Sequence, residues 1–423
     1  MQIHVIGLGV AQNAALSLEA LTLIRSLTKD DRLVGSERQL KTVFGCHSAT
    51  PFILPKLSEL KEVLTSWKES RVKRVVVLAS GDPLFYGIGS WVKCHFSHLD
   101  VTYYPNVSSI QSACHQSGVS LQDAHVVSVH GRPLASLRKH LHKNKTLVLL
   151  TDSHSHPAAI AQECVRANVG ESRITVCEKL GYSDQNVETF FAHQLQDSER
   201  AFDSLNVVLV EVSGQQALLP STPGFPDDLY VTDKGQGKGM ITKREVRLAI
   251  LSYLGAEEGD VIWDVGAGCG GVSIELAYWN ARAQIYAIEH HPERFNCLKR
   301  NQEKFGVAQN LTLIQGRAPA SLELLPVPDR IFIGGSDGEL GELLRVNWDS
   351  LPEHGVLLLS SVTDTTQLEA MNFTNIREVA DDAELESVTI QVARSETLAG
   401  SKMRKPALPV TLWRYQKRVS AQK

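Results

Sequence analysis

The stretch Asp264-Val265-Gly266-Ala267-Gly268-Cys269-Gly270-Gly271 decides the fold of the second half of this chain. It follows an apolar run, Val261 to Val265, that reads as a buried strand, and it opens a stretch, Val272 to Tyr278, that reads as a helix. Glycines at such a junction permit a tight turn and let a ligand come close to the backbone. Glu289 ends the next apolar run about 20 residues on, where an acid can accept both hydroxyls of a ribose.

Two cofactors fit this spacing. Gly266, Gly268 and Gly271 form Gly-x-Gly-x-x-Gly, suited to a nicotinamide dinucleotide. Asp264, Gly266, Gly268 and Gly270 form Asp-x-Gly-x-Gly-x-Gly, suited to S-adenosylmethionine. Asp264 favours the second. A dinucleotide would lay its pyrophosphate over this loop, beside a carboxylate that repels it. The methionine ammonium of S-adenosylmethionine is drawn to that carboxylate, and its own carboxylate can meet the helix N-terminus. This half therefore reads as a methyltransferase, with an NAD-dependent dehydrogenase as the alternative and a ligand-free turn as the plain one. Phe332-Ile333-Gly334-Gly335-Ser336 lacks the Asn/Asp-Pro-Pro-aromatic tetrad of many exocyclic-amine methylators, and its glycines leave room for a bulky flat acceptor.

Outward from the loop, strands are predicted at Gln284 to Ile288, Leu311 to Gln315, Arg330 to Gly334 and Val356 to Ser360, after a helix from Lys243 to Leu254. Val388 to Ala393 and Val410 to Tyr415 would close the sheet as a hairpin pair, joined by the polar segment Ser395 to Lys405. Leu218 to Asp228 carries Pro220, Pro223, Pro226 and Gly224 and reads as a linker or arm, because proline blocks helix and sheet hydrogen bonding. It separates two domains, 1–213 and 214–423.

The first domain also alternates strands and helices, which predicts an α/β fold with a largely parallel sheet. Strands are expected at Ile3 to Gly7, Val75 to Ala79, His125 to Val129, Thr146 to Thr151, Arg173 to Cys177 and Val207 to Val212. Helices are expected at Leu16 to Leu27 and Ala158 to Ala167, with Asn106 as the N-cap of another through Cys114. Gly7-Leu8-Gly9 follows the first strand, and Ser80-Gly81-Asp82-Pro83-Leu84-Phe85-Tyr86-Gly87 follows another, where ligand sites of α/β sheets gather. Pro105-Asn106-Val107-Ser108-Ser109 adds a helix start able to offer backbone N–H groups. The bland reading of these segments is three well-formed turns.

Composition narrows the function. Of 423 residues, 43% are hydrophobic and 21% charged, enough to bury a sizeable core. Lys and Arg number 43 against 47 Asp and Glu, a net charge of −4 that argues against a general nucleic-acid binder or an RNA methylase. The seven cysteines are scattered, without a C-x-x-C pair, and read as reduced thiols of a cytoplasmic protein. The N-terminus lacks a charged leader, and no uncharged run reaches the roughly 18 residues that span a bilayer. His154 and His156, and the pair His290-His291, lack further ligands at metal spacing, so no metal is expected.

Leu78 to Gly89, Pro105 to Ser109 and Ser128-Val129-His130-Gly131-Arg132-Pro133 resemble the tetrapyrrole methylase family, in its precorrin C5 branch. Ile241 to Arg247, Trp263 to Gly268 and Phe332 to Ser336 resemble the decarboxylating C15 methylases of the same pathway. In this order they resemble the fused, decarboxylating C5,15-methyltransferase family of cobalamin biosynthesis, over nearly the whole chain. The resemblance implies a two-lobed tetrapyrrole methylase fold followed by a class I Rossmann-like methyltransferase domain with a mostly parallel sheet. It also implies two S-adenosylmethionine sites. The first would use Gly7, Gly9, Gly81, Asp82, Leu84, Phe85, Asn106, Ser108 and Ser109. The second would use Thr242, Asp264, Gly266, Ala267, Gly268, Cys269, Gly270, Glu289 and Ala318. Such methylases often continue the first loop as Gly-x-Gly-Pro-Gly, whereas Val10-Ala11 stands here. The implied substrate is an anionic precorrin or cobalt-precorrin macrocycle, methylated at C5 and C15 and losing the ring C acetate carboxyl. Lys234, Lys238, Lys243 and Arg244 are candidate clamps for its carboxylates, Lys243 and Arg244 first. No residue stands out as the decarboxylation acid. Relatives of the second domain form tetramers, so a homo-oligomer through that domain is expected. The reading from another class makes one half a non-catalytic scaffold that holds the tetrapyrrole.

Overall fold

The computed structural model describes residues 1–10, 12, 15–214, 218–235, 238–398 and 400–419. Ala11, which continues the first glycine loop, lies outside the described residues. The chain forms two compact units, residues 1–132 with 143–217, and residues 133–142 with 218–423.

Unit 1 carries two five-stranded sheets among its described residues. The first contains β1 (Gln2–Gly7), β2 (Arg32–Gly35), β3 (Thr50–Ile53), β4 (Arg74–Ala79) and β5 (Asp100–Tyr104) in the order β3-β2-β4-β1-β5, all parallel. Ile3, Val5, Val75 and Val77 are fully buried, as a parallel sheet covered on both faces requires. The second contains β6 (Ala124–Ser128), β7 (Thr146–Leu150), β8 (Arg173–Glu178), β9 (Asn186–Phe191) and β10 (Asn206–Glu211) in the order β6-β7-β10-β8-β9. Here only β6 and β7 run parallel; the other pairs are antiparallel. The expectation of a largely parallel sheet therefore holds for the first lobe and fails for the second. The strand that misleads is β9. Its residues are mostly exposed, so no apolar run marks it. Helix starts also move. Ser17 caps the first helix, Leu18–Arg25, and Ser108, not Asn106, caps Ser109–Gln116 through a reciprocal bond with Gln111.

Unit 2 is built on β11 (Val261–Val265), β12 (Gln284–Glu289), β13 (Leu311–Gln315), β14 (Arg330–Ile333), β15 (Val356–Ser361), β16 (Ala383–Ile390), β17 (Ala393–Leu398), β18 (Ser401–Pro406) and β19 (Val410–Lys417). Seven of these form a sheet of order β13-β12-β11-β14-β15-β19-β16. The first five strands are parallel, and β19 is antiparallel to both neighbours. The order reverses between β11 and β14, the switch point at which open α/β sheets bind ligands. The closing pair is β16 and β19, as expected in kind, although β16 starts earlier than Val388. The segment expected to be a plain polar connector is itself an antiparallel ribbon, β17 with β18.

The proline-rich arm is anchored, not free: Leu219, Gly224 and Phe225 are buried, while Leu218 and residues 221–223 stay exposed. Glu275, on the helix Gly271–Trp279, accepts from the backbone N–H of Gly224 (2.7 Å) and of Phe225 (2.9 Å). It also accepts from Arg247 Nε at 2.6 Å, and both side chains are completely buried. Arg247 further donates to Asp227 Oδ1 (3.2 Å) and to the carbonyls of Phe225 and Thr242, and its guanidinium lies 4.8 Å from the Tyr230 ring. Phe225 stacks on Phe305, with ring centroids 5.3 Å apart. Removing one member of such a buried pair strands the other charge, a loss of about 3–5 kcal/mol. Glu275→Gln is therefore expected to lower the unfolding free energy of unit 2 by about that amount, read from urea midpoints followed by tryptophan fluorescence.

Candidate functional site

A cavity of about 350 Å³ opens over the C-terminal ends of β11, β12, β13, β14 and β15. Its floor is the glycine loop. Gly266 has φ +76°, and a Cβ there would lie 2.7 Å from the Gly335 carbonyl oxygen. Gly268 has φ +59°, and its Cβ would lie 2.7 Å from the Met240 carbonyl oxygen. Both positions demand glycine by conformation and by space. The loop is pinned from beneath: the Gly266 and Ala267 N–H groups both donate to the Ile288 carbonyl at 3.0 Å. Cys269 N–H donates to the Met240 carbonyl, so the segment 239–243 forms one wall.

Glu289 is the acid of the cavity. It is 3% exposed, and its Oε2 accepts from Gly268 N–H while Oε1 accepts from His291 N–H, each at 2.8 Å. Each carboxylate oxygen can accept a further bond, so two hydroxyls of a ribose can still be met. Thr242, Gly266, Ala267, Gly268, Glu289 and Ala318 all line the cavity. Asp264, Cys269 and Gly270 do not. Gly270 caps the helix Gly271–Trp279, and Cys269 is buried with its thiol pushed up to about 12. Asp264 turns beneath the loop, where Oδ2 accepts from Ser273 N–H at 3.0 Å in the first turn of that helix. Oδ1 is buried with no hydrogen-bond partner, and burial raises the carboxyl to about 7. The carboxylate expected to attract an ammonium thus holds a helix start instead.

Of the cations expected at the mouth, Lys243 lines the cavity; Lys234, Lys238 and Arg244 do not. Arg244 is exposed, and its backbone N–H donates to Asp227 Oδ1 at 3.0 Å. Three arginines without a sequence signature stand at the cavity wall instead, Arg294, Arg317 and Arg394. Arg394, from β17, pairs with Glu245, and Arg317 pairs with Glu339 at 3.1 Å. Arg394 was hidden because it falls between the expected strand, which ends at Ala393, and the polar connector, which begins at Ser395. His290, beside Glu289, reaches Asp337 Oδ2 at 3.2 Å.

In unit 1 the two expected loops are stitched together. Gly81 N–H donates to the Gly9 carbonyl at 3.0 Å, and Gly9 N–H donates back at 3.4 Å. Asn106 Nδ2 donates to the Gly7 carbonyl at 3.0 Å, bringing the third segment in. The expected residues divide between two cavities. Gly9, Gly81 and Ser109 line one of about 120 Å³; Asp82, Phe85 and Asn106 line another of about 510 Å³. Gly7, Leu84 and Ser108 line neither. Ser108 is a helix cap, and Asp82 Oδ1 accepts from Leu84 and Phe85 N–H, so it shapes its own turn.

Residues 2–196 match the tetrapyrrole (corrin/porphyrin) methylases, and residues 233–417 match the precorrin methyltransferase domain. A precorrin-6Y C(5,15)-methyltransferase [decarboxylating] of Sinorhizobium is 37% identical over 363 residues, covering 85% of this chain and 84% of its own. A protein of the same description from Mycobacterium tuberculosis is 29% identical over 98% of this chain and 100% of its own. A probable cobalt-precorrin-6B C(15)-methyltransferase (decarboxylating) of Pyrobaculum calidifontis is 40% identical over 34% of this chain and 72% of its own. The chain belongs to the precorrin-6Y C5,15-methyltransferase (decarboxylating) family. That family consists of S-adenosylmethionine-dependent C-methyltransferases, so membership decides between the cofactors that the glycine spacing left open.

Within this family member, Asp264 makes stability depend on pH. Its folded carboxyl titrates near 7, above the usual value of about 4, so folding takes up a proton. Its unfavourable contribution is absent below about pH 4, grows between there and 7, and is constant above. Asp264→Asn is expected to gain stability relative to the parent as pH rises from 5 to 8, read from urea midpoints of the ligand-free chain at each pH.

Proposed function

We infer that this chain methylates C5 and C15 of a precorrin-6B or cobalt-precorrin macrocycle and removes the carboxyl of the ring C acetate, in the cytoplasm, during cobalamin biosynthesis. Residues 1–213 carry the C5 reaction, and residues 214–423 carry the C15 reaction with decarboxylation. What carries this reading is the presence of glycine-loop cavities in both units of a chain matched over 85% of its length by a decarboxylating C5,15 relative.

S-adenosylmethionine supplies an electrophilic methyl group, and two sites for it are part of the proposal. In unit 2 the open backbone at Gly266 and Gly268 admits the cofactor, and Glu289 takes its ribose hydroxyls. Gly334 and Gly335 at the end of β14 leave space for the edge of a flat ring. The meso carbons of a reduced tetrapyrrole are nucleophilic through the pyrrole nitrogens, so alignment matters more than a strong base. Val362, Leu408 and Val410 give the cavity an apolar side that excludes water from a reacting acetate. Lys243 and Arg394 meet the carboxylates that stay. When carbon dioxide leaves, its bonding pair passes into a protonated imine of the macrocycle, and a proton then returns to the side-chain carbon. The exposed ribbon of β17 and β18 supports a homo-oligomer through unit 2.

No helix among the described residues is long and apolar enough to cross a membrane. Two variants test the division of labour. With precorrin-6B or its cobalt form, mass spectrometry of the parent product should show two methyl gains and one loss of carbon dioxide. Gly268→Val should clash with the Met240 carbonyl and distort the cofactor loop, leaving one methyl gain and no loss of carbon dioxide. Gly81→Val should leave one methyl gain together with the decarboxylation. A half whose loop substitution changes no product is a scaffold, and the reading of that half fails.

A further inference from the structure

In unit 1 a charged side chain stands at the smaller cavity without a counter-charge. Arg38 lies on the short helix Glu37–Thr42 that follows β2. Its Nη2 donates to Ser80 Oγ at 3.0 Å, and its Nη1 donates to the Tyr182 hydroxyl at 3.2 Å. Gln39, buried beneath it, donates from Nε2 to the same Ser80 Oγ at 3.1 Å. All of these residues line the cavity of about 120 Å³, whose lining contains no Asp or Glu. Arg74, Arg173 and Arg200 of unit 1 are paired, with Asp31 at 2.7 Å, Glu211 at 2.8 Å and Glu188 at 2.5 Å, whereas Arg32 and Arg132 donate to backbone carbonyls away from this cavity. Among the described residues, Arg38 has only neutral oxygens.

The direction of these bonds matters. A guanidinium and an amide NH2 can only donate, so Ser80 Oγ and the Tyr182 oxygen are acceptors here. Their own hydroxyl hydrogens remain to be given, and neither goes to another described group. Arg38 keeps further N–H donors as well. The cluster thus presents a positive charge and spare donors, with no anion in the cavity lining to meet them. Ser80 immediately precedes Gly81, so the donors stand beside the junction of the glycine loops.

We propose that Arg38, Ser80 and Tyr182 form a carboxylate receptor. A guanidinium fork fits a carboxylate in bidentate fashion, and the two hydroxyls can complete its shell. On the proposed function, on which this inference rests, the carboxylate belongs to an acetate or propionate arm of the macrocycle or to the amino-acid end of the cofactor. Both sources present the same group.

The test uses the full chain with two probes. Uroporphyrin, an octacarboxylate macrocycle, is titrated by fluorescence with its octamethyl ester as the uncharged control. S-adenosylhomocysteine is titrated by calorimetry. Arg38→Ala is expected to weaken one probe about ten- to hundred-fold, the range of a lost hydrogen bond to a charged group. Loss confined to uroporphyrin assigns the substrate arm; loss at one S-adenosylhomocysteine site assigns the cofactor end. Arg38→Lys keeps the charge without the fork and should fall between, and Tyr182→Phe should weaken the same probe several-fold. Unchanged affinity of Arg38→Ala for both probes overturns the receptor, and equally tight binding of the octamethyl ester overturns the substrate-arm assignment. C5 methylation by the parent separates the two claims. If it is absent while Arg38→Ala still weakens a probe, the functional reading fails and the receptor stands.

Discussion

Glu275 and Arg247 are both fully buried, and the rest of unit 2 is arranged around their contact. Neither charge could be tolerated alone in that position. Glu275 comes from the helix that the glycine loop opens, and Arg247 from the helix that follows the arm. Between them they bind the backbone of Gly224, Phe225 and Thr242. Asn301, equally buried, adds bonds to Val231 and to the Cys269 carbonyl. The arm is thus fixed at several points to the loop it covers. Thr242 and Met240 become a wall of the cavity because a buried ion pair and a buried amide leave the chain no other path.

That constraint explains why the loop sequence is so specific. Met240 O stands where a Cβ of residue 268 would lie, and Gly335 stands where a Cβ of residue 266 would lie. The glycines answer to neighbouring backbone as much as to a ligand. Asp264 belongs to the same economy of space. Buried under the loop, it holds Ser273 N–H and so aims the helix start, while Glu289 fixes Gly268 from the cavity side. Two acids that look alike along the sequence therefore have different work, one beneath the loop and one at the cavity.

Much of this was readable before any coordinates. The parallel strands of unit 2 and their order along the chain follow from apolar runs that β-branched residues mark clearly, and β11, β12 and β13 fall within a residue of expectation. The glycine spacing located the cavity, because a positive φ and close backbone approach leave few residue choices. β2, β3 and β5, only four or five residues each, were too short to stand out, while other failures concern which way a side chain points. Asp264 sits in the motif but faces the helix, Ser108 takes the cap that Asn106 was expected to hold, and Arg394 reaches the cavity from a ribbon with no apolar signature. β9 was missed for the same reason, since an exposed edge strand need not alternate visibly. Arg38 and Tyr182 are 144 positions apart, and no local pattern could have joined them.

The two units treat charge differently, and a polycarboxylate substrate makes sense of the contrast. At the cavity of unit 2, Arg394 and Arg317 are each held by a glutamate. A carboxylate entering there must displace an existing partner, so the net pull on any one acetate is modest. On the proposed function, a modest pull lets the arms that stay be placed without drawing in the acetate that has to lose its carboxyl. The apolar side formed by Val362, Leu408 and Val410 works in the same direction by withholding water. In unit 1, Arg38 has no glutamate to displace and can hold a carboxylate firmly. Firm holding suits methyl transfer, where the carboxylates are spectators and serve only to fix one carbon opposite the donor. The pairing state of these arginines, more than their number, sets how firmly each cavity can hold a carboxylate.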